Sequence, residues 1–138
     1  MPLYDIEHVT PLTDDQQEAL AKALTAVHSK RFGTPSYFVN VRYTDVTDMK
    51  VYRGGVLRKY NRAILRTRNS EARSVDLFNE HCACVVECWE KIVGSGGEKG
   101  LRTVWVLGAL TTALEAGFAR PKVCSEPIVS SVYNNSLN

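Results

Sequence analysis

Polar and apolar residues alternate along Leu3-Tyr4-Asp5-Ile6-Glu7-His8, the period of a strand. Tyr4, Ile6 and His8 share one face, and Leu3, Asp5 and Glu7 the other. Thr10-Pro11-Leu12 breaks the pattern. Thr13 followed three residues later by Gln16 forms a capping box, and Asp14 and Asp15 suit a helix N-terminus. The spacing predicts a helix from Asp14 to Arg31 with an apolar stripe of Leu20, Leu24 and Val27, closed by Gly33 and Pro35. Ser36 to Val46, rich in aromatic and β-branched residues, predicts a second strand. Asp48 to Arg53 leads into Gly54-Gly55, a turn or short hairpin.

The pattern then recurs. Arg62 to Arg68 predicts a strand and Asn69-Ser70 a helix cap. Glu71 to Val93 predicts a helix, with Val75, Phe78, Cys82, Val85, Trp89 and Ile92 spaced three and four apart. Gly94-Ser95-Gly96-Gly97 ends it, and Arg102 to Leu107 predicts another strand. A strand, a long helix and a strand make a crossover unit with parallel strands. Two such units, over about residues 2–46 and 61–108, with caps at Thr13 and Ser70, indicate an internal duplication. The expected fold is an α/β (α+β) sandwich, one four-stranded mixed sheet with two long helices on one face. Thr111 to Ala116 predicts a short helix ended by Gly117. In the tail, residues 122–138, a weak strand signal runs from Ile128 to Tyr133.

At 138 residues the chain suits a single domain able to bury a core without staples. No apolar run is long enough to span a membrane and no basic-then-apolar leader opens the chain, so a cytoplasmic protein is expected. Cys82, Cys84 and Cys88 crowd into one predicted helix and Cys124 stands apart. These spacings fit neither a disulfide framework nor a zinc site, so reduced thiols and no metal or cofactor are expected. The net charge of +2 hides a block from Arg53 to Arg73, where seven cations face Glu71 alone. Such a block is a solvated face or an attractor of anions. Only Tyr60 interleaves it, too little stacking surface for nucleic acid.

The chain opens Met1-Pro2, and removal of Met1 would leave a secondary amine at the head of the first strand. A free α-amino group titrates at about 7.7–8.0, and burial disfavours its charged form. Held still near neutrality, such an amine serves as acid, base or nucleophile. Taken alone, Pro2 reads first as the opening of an edge strand, where its missing N–H costs nothing. Arg73 falls in the first turn of the predicted second helix, against the macrodipole, which suits an anion held between it and the helix N–H groups. The alternative is a surface bridge to Asp76 or Glu71. His28 lies beside the buried stripe of the first helix, as a core histidine or a catalyst, and Glu115 near a helix C-terminus is solvated or recruited.

This arrangement resembles the tautomerase superfamily, and within it cis-3-chloroacrylic acid dehalogenase and its relatives. The likeness runs from Pro2 to about Pro121. It is carried by Pro2, Ala21-Lys22-Ala23-Leu24-Thr25-Ala26-Val27-His28, Gly33-Thr34, Gly54-Gly55-Val56, Arg73-Ser74-Val75-Asp76-Leu77, Trp105-Val106 and Glu115-Ala116-Gly117. The resemblance implies that Pro2 is the acid–base amine. It implies that His28 and Arg73 hold a substrate carboxylate, that Glu115 orients a water in hydrating relatives, and that the chain forms a homotrimer. Two positions depart from the dehalogenases. Ser70 replaces a second arginine, and Leu107 replaces a tyrosine. Arg68 or Arg66 would have to supply the missing cation, and Leu107 implies a more apolar pocket. The expected partner is a small carboxylate, with neither nucleic acid nor membrane.

The expected activity is proton transfer on an enol or α,β-unsaturated carboxylate, with Pro2 as base in a tautomerase. The alternatives are a hydratase or dehalogenase in which Pro2 is the acid beside Glu115, a non-catalytic anion-binding protein, and a decayed enzyme.

Overall fold

The computed structural model describes residues 1–108, together with the backbone pairing of Leu114–Glu115 with Phe118–Ala119. Its elements are β1 (Leu3–His8), α1 (Asp14–Phe32), a 3-10 turn (Ser36–Phe38), β2 (Asn40–Asp45), β3 (Tyr52–Arg53), β4 (Val56–Leu57), β5 (Asn61–Arg66), α2 (Val75–Ile92), β6 (Leu101–Leu107), β7 (Leu114–Glu115) and β8 (Phe118–Ala119). The main sheet has the order β2-β1-β5-β6. β1 runs parallel to β2, β5 runs parallel to β6, and β1 and β5 meet antiparallel at the centre. The fold is thus the expected mixed four-stranded sheet carrying two long helices.

Tyr4 and Ile6 of β1 and Ala63 and Leu65 of β5 point into the core, where Leu20 and Leu24 of α1 and Val85 and Trp89 of α2 meet them. The other sheet face is charged. Arg42 Nη2 donates to Asp5 Oδ2 at 2.6 Å and Arg66 Nη1 to the same oxygen at 3.2 Å. Arg62 Nε donates to Glu7 Oε2 at 2.8 Å, and its guanidinium lies 4.5 Å over the Trp105 ring. Two arginines of the basic block, Arg62 and Arg66, are therefore neutralised by the carboxylates of β1.

Thr13 caps α1 as its sequence predicts. Thr13 Oγ1 accepts from Gln16 N–H at 3.1 Å, and Gln16 Oε1 accepts from Thr13 N–H at 3.0 Å. Gly33 ends the helix at φ 64°, a left-handed cap whose N–H donates to Ser29 O. Gly54 and Gly55, at φ 58° and 76°, join β3 to β4 in a hairpin turn that needs two left-handed residues. The buried Asn61 ties the far end of β1 to the loop before β6. Its Oδ1 accepts from the Val9 and Thr10 N–H groups, and its Nδ2 donates to Thr10 Oγ1 and Glu98 O, both at 2.9 Å.

Four assignments differ from the sequence expectation by two residues or more. The predicted strand from Ser36 starts only at Asn40, because Phe38 and Val39 N–H turn back onto Pro35 and Ser36 carbonyls. The strand predicted to end at Arg68 stops at Arg66. The second helix begins at Val75, capped by Ser74, whose Oγ accepts from Leu77 N–H at 3.1 Å. Ser70 instead closes a turn, its carbonyl accepting from Arg73 N–H at 2.9 Å, so Ser70 is not the cap and Arg73 lies just outside the helix. Leu114–Glu115 pairs antiparallel with Phe118–Ala119 where a short helix is predicted. The predicted tail strand, Ile128 to Tyr133, lies outside the described residues.

Candidate functional site

Pro2 is buried immediately before β1. Its carbonyl accepts from Asn40 N–H at 3.0 Å and from Asn40 Nδ2 at 3.4 Å, which anchors it at the edge of β2. Continuing the β1–β5 register one step beyond Leu3 and Arg66 sets Pro2 opposite the buried Thr67.

Two residues along β1, the same face carries Tyr4 into a polar cluster between the helices. Tyr4, His28 of α1 and His81 of α2 are each 0% exposed. Tyr4 Oη lies 2.7 Å from His28 Nδ1 and 2.5 Å from His81 Nε2. The outer nitrogens, His28 Nε2 and His81 Nδ1, are buried without a hydrogen-bond partner among the described residues. Burial, with His81, Arg73 and the terminal ammonium adding positive charge, pushes the His28 pKa down to about 3. Burial, with Arg31 and Arg73, pushes His81 down to about 4. Both rings are therefore neutral at physiological pH. Burial, reinforced by Cys88 and Cys82, raises the Tyr4 hydroxyl, which keeps its proton.

Arg73 reaches this cluster from the turn before α2. Its guanidinium carbon lies 4.7 Å over the Phe32 ring, and Phe32 packs 4.7 Å from His28 and 4.8 Å from His81. Arg73 Nη1 donates to Arg68 O at 3.1 Å and to Thr67 Oγ1 at 3.3 Å. Among the described residues no carboxylate pairs with it, so the bridge to Asp76 or Glu71 weighed from sequence is not made. Burial and the neighbouring Arg68 lower its pKa from the usual guanidinium value, a sign of uncompensated cation. Arg68 is itself half-buried, and its Nε has no partner.

An open groove of about 940 Å³ lies beside these cations, lined by Ser70, Arg73, Val75, Phe78, Trp105 and Leu107 among others. Gly108 closes one side against Asn69, where a Cβ would come within 2.7 Å of the Asn69 Cβ. Ser70, Arg73 and Leu107 thus share one groove, with Arg68 bonded to Arg73 at its edge. Electrostatically, His28 feels the positive charges of both Arg73 and the chain terminus. Arg66 does not join them, because it is bound to Asp5 on the opposite sheet face. Of Glu115 only the backbone pairing with Phe118 is described, and its side chain lies outside the described residues.

Sequence reasoning missed His81 and the part played by Tyr4. A signal for His81 was present, since it stands four and eight residues before Val85 and Trp89 and so completes their buried stripe. Cys82, placed on the stripe instead, is half-buried and a free thiol, as are Cys84 and Cys88.

Solved structures share this fold. Leishmania major MIF2 superposes at a TM-score of 0.63 and 14% identity, covering 87% of this chain and 97% of that one. A fused 4-OT, solved as a symmetric trimer, gives 0.59 at 19% identity over 76% and 83%. FG41 malonate semialdehyde decarboxylase, inhibited by 3-bromopropiolate, gives 0.52 at 17% identity over 75% and 79%. Among curated proteins nothing matches. The mixed sheet with two helices is therefore a tautomerase/MIF-like fold. The family model described as a putative oxalocrotonate tautomerase enzyme matches residues 1–128, and the chain belongs to that family.

Proposed function

We propose that the protein is an enzyme, of the isomerase type, that moves a proton on a small carboxylate bearing an enol or α,β-unsaturated system. After removal of Met1, the Pro2 amine is the acid–base group. Arg73 and His28 hold the carboxylate, Arg68 stands in for the second arginine absent at Ser70, and Ser70 and Leu107 border the substrate. The observation that carries this reading is Arg73, half-buried in the lining of a groove and without a carboxylate partner among the described residues, with the half-buried Arg68 next to it. A cation held out of water without a partner is costly and suits an anionic ligand. Burial of Pro2 disfavours an ammonium there, so in this reading Pro2 works as a base. Glu115 remains the proposed water-orienting group if hydration accompanies proton transfer, as in the cis-3-chloroacrylic acid dehalogenase-like group. By analogy with the fused 4-OT, solved as a trimer, a homotrimer is the proposed assembly.

Intact mass, followed by a panel of enols and unsaturated acids, tests this reading. Met1 should be absent, and Pro2→Ala should lower kcat/KM by roughly 100-fold or more, the usual contribution of a positioned acid–base group. Retained Met1, or equal turnover by Pro2→Ala, sinks the mechanism.

A further inference from the structure

The cluster of Tyr4, His28 and His81 makes a demand that the acid–base reading does not use. Tyr4 Oη contacts one nitrogen of each ring, and it has one proton to give. With no other partner for that proton, the hydroxyl donates to one imidazole and accepts from the other. If it donates to His28 Nδ1, then His28 carries its proton on Nε2, and His81 Nε2–H donates to Tyr4. If it donates to His81 Nε2, then His28 carries its proton on Nδ1, and so does His81. Both rings are neutral, held so by burial and by the cations around them. The charges of Arg73 and the terminal ammonium act on His28, and those of Arg31 and Arg73 act on His81. One shared hydroxyl therefore forces the two histidines into the same tautomer.

Neutral imidazole intrinsically favours the proton on Nε2. Locking two rings together counts that preference twice, so the pair settles with Nε2–H on both. His28 then presents a buried Nε2–H with no acceptor among the described residues, and His81 presents a buried Nδ1 lone pair. An unsatisfied buried donor on the ring beside Arg73 is a vacancy for an anionic oxygen. We propose that His81 is a positioning residue that fixes His28 as an Nε2–H donor toward the substrate carboxylate, acting through the Tyr4 hydroxyl. The proposal rests on the reading of His28 as a carboxylate-holding group, and it adds a third residue to that group, supplied by the second helix.

Nitrogen-15 NMR of the histidine rings in the full-length protein at pH 7.5 tests it without turnover. In the wild type both His28 and His81 should show Nε2 protonated and Nδ1 bare. Opposite tautomers on the two rings, or Nδ1–H on both, would overturn the proposal. In His81→Phe the Tyr4 hydroxyl is left with His28 alone, and a mixture of His28 tautomers should appear. In His81→Gln the side-chain amide can donate to Tyr4, and the Nε2–H form should return. A His28 ring that stays wholly Nε2–H in folded His81→Phe would also overturn it. With an active acid substrate, KM should rise about tenfold in His81→Phe and recover in His81→Gln. His81→Phe should add nothing further in a Tyr4→Phe background. If the wild type turns over none of the acids, the proposed chemistry fails, while the ring spectra still decide whether His81 sets His28.

Discussion

Lowering the pH should unfold this protein through its two buried histidines before its carboxylates titrate. His28 and His81 are fully buried, with pKa values pushed from an ordinary 6.5 down to about 3 and about 4. In the unfolded chain both regain ordinary values. Between pH 6.5 and the folded values the unfolded state binds more protons, so stability rises with pH across that window. The contribution is complete above pH 6.5 and is lost as the pH falls toward 4 and 3. At pH 5, about 1.5 units below the unfolded value, each ring accounts for roughly 2 kcal/mol, or about 4 kcal/mol together. That is a large share of the 5–15 kcal/mol typical of a domain. Asp5 responds in a separate window. Burial opposes its charge, but hydrogen bonds from Arg42 and Arg66 outweigh burial and hold its pKa below the usual value. Its contribution is therefore kept until the pH falls below about 4.

The assay is urea unfolding at fixed protein concentration from pH 8 to pH 5. With a slope of about 2 kcal/mol per molar, the midpoint should fall by roughly 2 M over that range. The double variant His28→Gln/His81→Gln should start less stable and show little change with pH. A wild-type midpoint that stays level down to pH 5.5 would refute the reasoning, as would a double variant with the same dependence.

Two further outcomes concern the frame around the site. Asn61→Ala strips partners from the Val9 and Thr10 N–H groups, and at about 1–3 kcal/mol for each buried group left unsatisfied it should cost about 3 kcal/mol. Thermal unfolding should report this as a Tm lower by about 10 °C, and a fall of under 3 °C would count against the clamp. Ser74→Ala should cost about 1 kcal/mol as the loss of a helix cap, whereas Ser70→Ala should stay within about 0.5 kcal/mol in denaturant titrations. The reverse order would place the start of α2 where the sequence alone puts it.

That boundary shows where sequence reading reached and where it stopped. The sheet and both helices were legible because period-2 and period-3.6 patterns report which face is buried, and Thr13 and Gly33 mark ends through purely local bonds. Ser70 and Ser74 offer the same capping chemistry, so local pattern could not choose between them. The choice is made by Arg73, which curls the chain back to reach Thr67 Oγ1 and Arg68 O. Pro2, His28 and Arg73 could be singled out as residue types in unusual places. His81 could not be tied to them, because its partner Tyr4 lies 77 residues away and only the packing of α2 across β1 brings them together.

The distribution of paired and unpaired charge argues that this corner of the fold is kept for chemistry rather than stability. Four arginines elsewhere are compensated. Arg31 is bound by Glu80, Arg62 by Glu7, and Arg42 and Arg66 share Asp5. Arg68 and Arg73, half-buried, have no such partner among the described residues, and within the same corner three polar side chains occupy core positions that Phe or Leu could fill. Replacing buried polar groups by apolar ones of like shape is often neutral or stabilising. A sequence selected for stability alone would drift toward such replacements. Local conflicts with folding rules that cluster in one place, at the head of β1 and the start of α2, are the expected mark of a functional site. The conflicts also share one sense, since an anion in the groove beside Arg73 would offset the uncompensated positive charge gathered at this corner.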